Sequence, residues 1–213
     1  MSSTDEPPPR PDEPPPRPDE PPPRPDERPP RPDERVRLFV ALELPARVRE
    51  ALIAWRGGLG RPRDLRPLAA ESLHVTLAFL GWQAASEMDA IGAACGVLAA
   101  DPAPHLSLGE ARWLPPRRPR VLAVDLVDAS EALTRAQATL SRSLAGGGWY
   151  EPEKRPYLAH VTVARVGRGR RPPKNPLPPV PSLEFRAVRV TLYRSRLFRA
   201  GAQYEPLATI ELN

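Results

Sequence analysis

Two apolar stretches of the chain contain the same polar pattern, and this repetition decides the predicted fold. The first, "SLHVTLAFLG" at residues 72–81, carries a histidine and a threonine on alternate positions, and the second, "YLAHVTVARV" at residues 157–166, repeats His-Val-Thr. Both runs have the length and the apolar composition of buried strands. The sequence therefore predicts two strands that each deliver one imidazole and one hydroxyl group to one side of a sheet.

Alternation assigns each side chain of these strands to a face of the sheet. In the first strand His74 and Thr76 share a face, and in the second His160 and Thr162 do so. The predicted core face of the first strand consists of Leu73, Val75, Leu77 and Phe79. Because the two strands have the same pattern, we expect the four polar side chains to line one shared cleft.

The elements that precede the two motifs also repeat. A predicted strand at 35–44, a helix that opens at Pro45 and a basic loop lead to His74. A strand at 118–127 and a helix that ends in three glycines lead to His160. The predicted fold class is α+β: a bilobal domain whose two pseudo-symmetric halves of antiparallel strands, with outer helices, surround a central cleft.

The remaining periodic segments complete this outline. Residues 86–101 are predicted to form a helix with Ser86 as its N-cap. Residues 105–114 are predicted to form a strand between prolines, and two long strands at 183–194 and 203–212 are expected to close the chain.

The first 34 residues have a different composition from the rest. Residues 1–34 repeat a seven-residue proline-rich unit and hold ten acidic side chains but five arginines, with almost no apolar side chain. Such a segment cannot bury enough apolar surface to offset the entropy of ordering it. We expect a disordered tail that acts as a solvated spacer, followed by a single domain at 35–213; binding of the tail to a polyproline-recognising partner is the alternative.

The charge of the domain favours a polyanionic partner. Outside the tail the chain has 26 basic and 16 acidic residues. This excess favours a nucleic acid over a membrane, although a solvated basic surface would have the same composition. With no apolar run of 18 residues and no signal core, we expect a soluble, cytoplasmic protein. A monomer is the expected state. The single cysteine, Cys95, excludes a disulfide framework and is expected to be a small buried side chain.

Two facing histidines suit acid–base chemistry at a phosphodiester. One neutral imidazole can take a proton from the nucleophile while the other, protonated, gives one to the leaving oxygen. Thr76 and Thr162, with a cation, would bind the non-bridging oxygens. Arg165 is the natural cation, although strict alternation puts it on the valine face, so that only a bend or a strand end would free it.

The third histidine, His105, raises the alternative of a three-histidine zinc site with one position open for water. The sequence disfavours this alternative, because no two histidines stand at i,i+2 or i,i+4 spacing and His105 begins a different strand. We expect His105 to be a surface residue and the site to need no metal or other cofactor.

Five segments in order resemble the two-histidine phosphoesterase superfamily, and within it the RNA 2',3'-cyclic phosphodiesterases, long called 2'-5' RNA ligases. They are "RLFVALELP", "ESLHVTLAFLG", "RRPRVLAVDL", "LAHVTVARV" and "VTLYRSRLFRAGAQYEPLATIEL". The resemblance covers residues 36–212. It departs from the family pattern at Ala159, where a proline commonly precedes the histidine, and the repeated tail is no feature of the family.

The resemblance implies metal-independent hydrolysis of RNA 2',3'-cyclic phosphate ends to 2'-phosphates. It implies that His74 is the proton donor and His160 the acceptor, and that Thr76, Thr162 and Arg165 contact the phosphate. Three alternatives stay open: 2'-5' ligation of RNA, hydrolysis of small cyclic nucleotides at the same site, and a module that binds RNA ends or nucleotides without turnover.

Overall fold

A computed structural model describes residues 30–59, 64–173, 176–198 and 201–213. Most of the predicted disordered tail therefore lies outside the described residues. The described helices are α1 (Ala46–Gly57), α2 (Met88–Cys95) and α3 (Ala132–Gly146). The described strands are β1 (Arg35–Glu43), β2 (Leu65–Pro67), β3 (His74–Ala84), β4 (His105–Leu114), β5 (Val121–Val127), β6 (His160–Val166), β7 (Glu184–Arg186), β8 (Arg189–Phe198) and β9 (Gly201–Glu211).

In the described part of the chain, all the strands join one antiparallel sheet. Its order is β7-β4-β5-β6-β3-β1-β8-β9, and β2 pairs with β6 beside this path. The two histidine strands lie at the centre, and β5 and β1, the strands that precede each helix and motif, flank them. The predicted α+β class and the pseudo-symmetric halves are confirmed, and the two halves share a continuous sheet.

The helices connect the halves through one apolar core. α1 belongs to the first half but packs against β6, whereas α3 belongs to the second half and packs against β3. Their buried faces present Val48 and Leu52 from α1 and Leu140 and Leu144 from α3. Cys95 is fully buried, as predicted, and burial raises the pKa of its thiol to about 12. No helix in the described ranges is long and apolar enough to cross a membrane.

The predicted helix at 86–101 is broken into three pieces. Only Met88–Cys95 is α-helical, and short 3-10 turns cover Ala85–Glu87 and Gly96–Ala100. The prediction of Ser86 as N-cap was wrong, because Glu87 occupies the cap position and no side chain bonds the first turn. Glycine at position 96, with its high backbone entropy, favours the end of the α-helix there.

The predicted strand at 183–194 is two strands that serve different halves. β7 pairs with β4, and β8 pairs with β1 and β9. The pattern of apolar residues runs through both, so it could not show that the chain changes partners between Arg186 and Arg189. The last strand, predicted at 203–212, is β9.

The residues just before β1 contact the domain. The Ala85 N–H donates to the Glu34 carbonyl oxygen at 2.8 Å, and the Ser86 N–H donates to the Pro32 carbonyl oxygen at 3.2 Å. The Glu34 carboxylate accepts a hydrogen bond of 3.1 Å from Arg194, whose side chain is buried. The contacts of the domain therefore begin before Arg35.

Candidate active site

The two histidine motifs meet where β3 pairs with β6. Val75 lies opposite Val161 in this antiparallel pair, and both valines are fully buried. In such a register the neighbours of the valines face each other on the other side of the sheet, His74 beside Thr162 and Thr76 beside His160. The fold thus brings the four polar side chains of the sequence analysis together.

A bulge in β6 determines where Arg165 points. The pairing of β6 with β5 skips Val163, so that Val163 and Ala164 are both buried and Arg165 is exposed. The extra residue shifts the alternation by one position. Arg165 consequently shares the face of His160 and Thr162, and strict alternation assigned it to the wrong side.

The same bulge occurs in β3 and corrects another prediction. The pairing of β3 with β1 skips Leu77, and both Leu77 and Ala78 are buried. Phe79, predicted to face the core, is 48% exposed, with the Arg37 guanidinium 4.7 Å from its ring centre. Phe79 therefore occupies in the first half the position that Arg165 occupies in the second.

A helix side chain from the opposite half hydrogen-bonds each bulge. The Arg56 guanidinium on α1 donates to the carbonyl oxygens of Val163 at 2.7 Å and of Leu68 at 2.6 Å. The Gln137 amide on α3 donates to the carbonyl oxygen of Leu77 at 3.2 Å. In both cases the acceptor is the carbonyl of the extra residue, so each helix supports the geometry of the other half's motif.

Aromatic rings surround His74. Phe39 stacks on its imidazole with ring centres 5.0 Å apart, and Tyr204 meets the imidazole edge-on at 5.4 Å. Tyr193 stacks on Phe39 with ring centres 5.3 Å apart, and its ring centre lies 6.5 Å from that of His74. None of these three rings was predicted as part of the site; the signal was their place in the strands that the family resemblance covers.

The environment of His74 disfavours its charged form. Burial lowers its pKa to about 4, and electrostatic interactions with Arg165 and His160 contribute to the lowering. This coupling is a second sign that the three side chains lie near one another. In the unliganded protein His74 is therefore neutral at pH 7.

Glu43 fixes the position of Tyr193, one of the aromatic residues beside His74. Its carboxylate accepts hydrogen bonds from the hydroxyls of Thr191 at 2.7 Å and Tyr193 at 3.1 Å, and Arg189 lies 3.6 Å away. Burial and the negative charge of Glu43 raise the pKa of Tyr193 to about 12. Tyr193 is thus a fixed, neutral support for the ring that stacks on the imidazole.

His160 is held by a backbone bond. Its Nδ1 lies 2.8 Å from the carbonyl oxygen of Leu158. A carbonyl only accepts, so Nδ1 carries a hydrogen, and in the neutral ring Nε2 is left with its lone pair. This tautomer gives the imidazole a free basic nitrogen.

A carboxylate that sequence reasoning missed lies beside His160. Asp125 on β5 is the direct sheet partner of His160 and forms an ion pair with Arg112. Its Oδ1 is buried and has no hydrogen-bond partner among the described residues. Burial raises the pKa of Asp125, and Arg112 and His160 oppose the rise. The signal in the sequence was a lone charge in the apolar strand "VLAVDLV".

The histidine predicted to lie on the surface does so. His105 begins β4, is exposed, and pairs with Arg186 of β7. β4 is separated from β6 by β5, which keeps His105 away from the junction of β3 and β6. Within the described ranges no group of three His, Cys, Asp or Glu side chains could hold a metal ion.

Comparisons with known proteins find the same scaffold. An RNA 2',3'-cyclic phosphodiesterase of Escherichia coli strain K12 is 33% identical over 173 residues, covering 80% of this chain and 93% of the relative. The crystal structure of E. coli LigT complexed with 3'-AMP superposes with a TM-score of 0.72 at 32% identity, covering 84% of this chain and 99% of LigT.

The protein TT0787 of Thermus thermophilus superposes with a TM-score of 0.72 at 29% identity, covering 83% of this chain and 97% of that protein. The profile of the 2'-5' RNA ligase superfamily matches residues 44–197, which include both histidine motifs. The chain belongs to the 2'-5' RNA ligase superfamily.

Proposed function

We propose that this protein hydrolyses RNA 2',3'-cyclic phosphate ends to 2'-phosphate ends, with two histidines as acid and base and without a metal. The observation that carries the proposal is the β3–β6 register, which sets two imidazoles and two hydroxyls against one another on one side of the sheet. The named activity of the 33% identical relative supports the choice of substrate.

The bond changes follow from this arrangement. Nε2 of His160 takes a proton from a water molecule, whose oxygen attacks the phosphorus and forms a new P–O bond. The bond from phosphorus to the 3'-oxygen breaks, and His74 gives a proton to that oxygen. The products are a 2'-phosphate and a 3'-hydroxyl. The Nδ1 bond to the Leu158 carbonyl supports His160 as the base, since it leaves Nε2 free.

Substrate binding favours the protonated form of His74. The imidazole is neutral in the unliganded protein because burial, with contributions from the nearby Arg165 and His160, lowers its pKa to about 4. A phosphate anion beside it favours the imidazolium form and raises the pKa again. His74 therefore becomes able to donate a proton when the substrate phosphate binds. Thr76, Thr162 and Arg165 bind the non-bridging oxygens and stabilise the charge that builds on them.

The test is hydrolysis of a short oligonucleotide that ends in a 2',3'-cyclic phosphate. His74→Ala and His160→Ala should each lower kcat about 10²- to 10⁴-fold, the usual contribution of a general acid or base. His105→Ala, on the exposed start of β4, is the matched control and should keep wild-type activity, and EDTA should have no effect. Undiminished activity in both His74→Ala and His160→Ala would contradict the proposal.

The position of the product phosphate tests the assignment of roles. A 2'-phosphate means that the 3'-oxygen leaves, as the proposal requires, whereas a 3'-phosphate contradicts it. Small cyclic nucleotides are the second candidate substrates; LigT has been solved with 3'-AMP, which shows that this relative holds a single nucleotide. Oligonucleotide binding with no product from either substrate would instead favour a binding module.

A further inference from the structure

A pocket lined by arginines opens beside the candidate active site. It has a volume of about 900 Å³, and eight of its thirteen lining residues are arginines. They come from three separate parts of the chain: Arg66 in β2, the turn between β4 and β5 with Arg117 and Arg118, and the segment that continues from Arg165 to Arg171. We call this the arginine pocket.

The arginines of the pocket are exposed and mostly lack an acidic partner. All eight are exposed, and among the described residues only Arg170 forms an ion pair, with Asp64 at 3.6 Å. Arg66 lies directly opposite Arg165 across the β2–β6 pair, with like charges facing each other. Such a pair is unfavourable by itself. An anion between the two guanidinium groups would reverse the sign of this interaction.

The wall of the pocket has a defined backbone. The Arg170 N–H donates to the Gly167 carbonyl at 2.9 Å, which closes a turn that Gly169 enters with a φ of +72°. The Gly167 N–H donates to the Asp64 carbonyl at 2.7 Å, which ties this turn to the residue before β2. The arginines on it therefore extend from an ordered segment.

Arg165 joins the pocket to the site. It lines the pocket and also lies on the face of β6 that carries His160 and Thr162. A chain of phosphates that leaves the cyclic end can therefore pass from Arg165 over the remaining arginines. Planar guanidinium groups bind phosphate oxygens two at a time, and a positive groove that follows the backbone is how single strands are bound without regard to sequence.

We propose that the arginine pocket binds the backbone phosphates upstream of the RNA end, which makes a single-stranded oligonucleotide, rather than a cyclic mononucleotide, the preferred substrate. This inference rests on the proposed function for the place of the reacting phosphate. A pocket whose lining includes Arg165, on the face of β6 that carries His160, favours RNA over an anionic membrane, which would need a convex or flat basic surface.

The test compares two substrates and two triple variants of the full chain. The pocket variant carries Arg118→Gln, Arg168→Gln and Arg171→Gln. The control carries Arg135→Gln, Arg142→Gln and Arg186→Gln, exposed arginines outside the pocket, so both lose three positive charges. The substrates are a hexanucleotide ending in a 2',3'-cyclic phosphate and 2',3'-cyclic AMP.

We expect the pocket variant to lose at least tenfold in kcat/KM on the hexanucleotide, mainly through KM, and less than twofold on 2',3'-cyclic AMP. The dependence of log kcat/KM on log salt should flatten by about 2, since each phosphate contact on a single strand contributes about 0.7. The control variant should behave as the wild type does. Equal losses on both substrates, no loss, or the same loss in the control variant would overturn the inference.

Failure of the proposed function gives a different result. If the wild type hydrolyses neither substrate, fluorescence anisotropy with a hexanucleotide ending in a 2'-phosphate still measures the pocket: weaker binding to the pocket variant alone supports the inference, and equal binding contradicts it. Loss of binding to phosphatidylserine vesicles, with oligonucleotide binding unchanged, would assign the pocket to a membrane and contradict the inference too.

Discussion

His74 is a histidine whose neighbours favour its neutral form. Phe39 and Tyr204 pack against its ring, and the nearby Arg165 and His160 lower its pKa further. An imidazole in such a place can act as an acid only when an anion arrives. Under the proposed function, the site combines a base, His160, whose Nδ1 is bonded to the Leu158 carbonyl, with an acid, His74, that is charged only when the substrate binds.

Binding of a phosphate product should raise the pKa of His74. In the free protein its value of about 4 means that the ring titrates well below neutral pH. Saturation with 2'-AMP should move the midpoint upward by one unit or more, because the phosphate favours the imidazolium. Titration of the His74 Cε1 proton by NMR measures this, with His105 as the internal control. A midpoint that is unchanged or lower would contradict His74 as the proton donor and would favour His160 in that role.

Two equivalent bulges distinguish the histidine strands from regular strands. Each inserts a residue three positions after the histidine, which brings the side chain five positions after it onto the site face. In β6 that side chain is Arg165, and in β3 it is Phe79. Arg56 and Gln137 donate to the carbonyls of the inserted residues, so helix and bulge are coupled across the halves.

Replacement of Arg56 should weaken phosphate binding. Arg56→Met removes the side-chain donor from two carbonyls, at a cost of about 1–3 kcal/mol in the free energy of unfolding. It should also raise the inhibition constant of inorganic phosphate, because Arg165 depends on this bulge. Urea unfolding and inhibition kinetics measure the two effects.

The chain offers a matched control for this change. Gln137→Met disturbs the bulge that carries Phe79 instead of Arg165, and it should affect stability with little change in phosphate inhibition. Arg56→Lys should restore part of the phosphate affinity, since an ammonium can still reach one carbonyl. Equal effects of the Arg56 and Gln137 variants on phosphate inhibition would argue against a positioning role for Arg56.

One sheet joins two halves that are covered by each other's helices. The domain also extends slightly into the repeated segment, where Glu34 accepts bonds from the Ala85 N–H and from the buried Arg194. Removing these residues leaves a donor and a buried charge with fewer partners.

A chain that starts at Arg35 should be less stable than one that starts at Arg31. The two differ only in four residues, and the expected loss is about 1–3 kcal/mol in the free energy of unfolding. Urea denaturation measures it, and Glu34→Gln in the full chain isolates the contribution of the carboxylate. Identical midpoints for the two truncated chains would show that the contacts of residues 31–34 add nothing to stability.

Much of the fold follows from local pattern. The strands around both motifs, the helices α1 and α3 and the repeated order of elements were predictable because alternation and capping act over a few neighbouring residues. The pairing of Val75 with Val161 then places His74, Thr76, His160 and Thr162 as their alternation predicted. The predicted faces of Phe79 and Arg165 were wrong because both residues lie beyond bulges. A bulge exists only relative to a partner strand, so alternation within one strand cannot predict it.

Local pattern alone predicts that two imidazoles and two hydroxyls leave the core on two equivalent strands. The folded chain was needed to show that β7 and β8 pair in different halves and that Asp125 neighbours His160. The fold also showed that aromatic side chains from three strands enclose His74 and that arginines from three segments form one pocket. A side chain's face depends on its own strand, whereas its neighbours depend on which strands pair and where a bulge shifts their register.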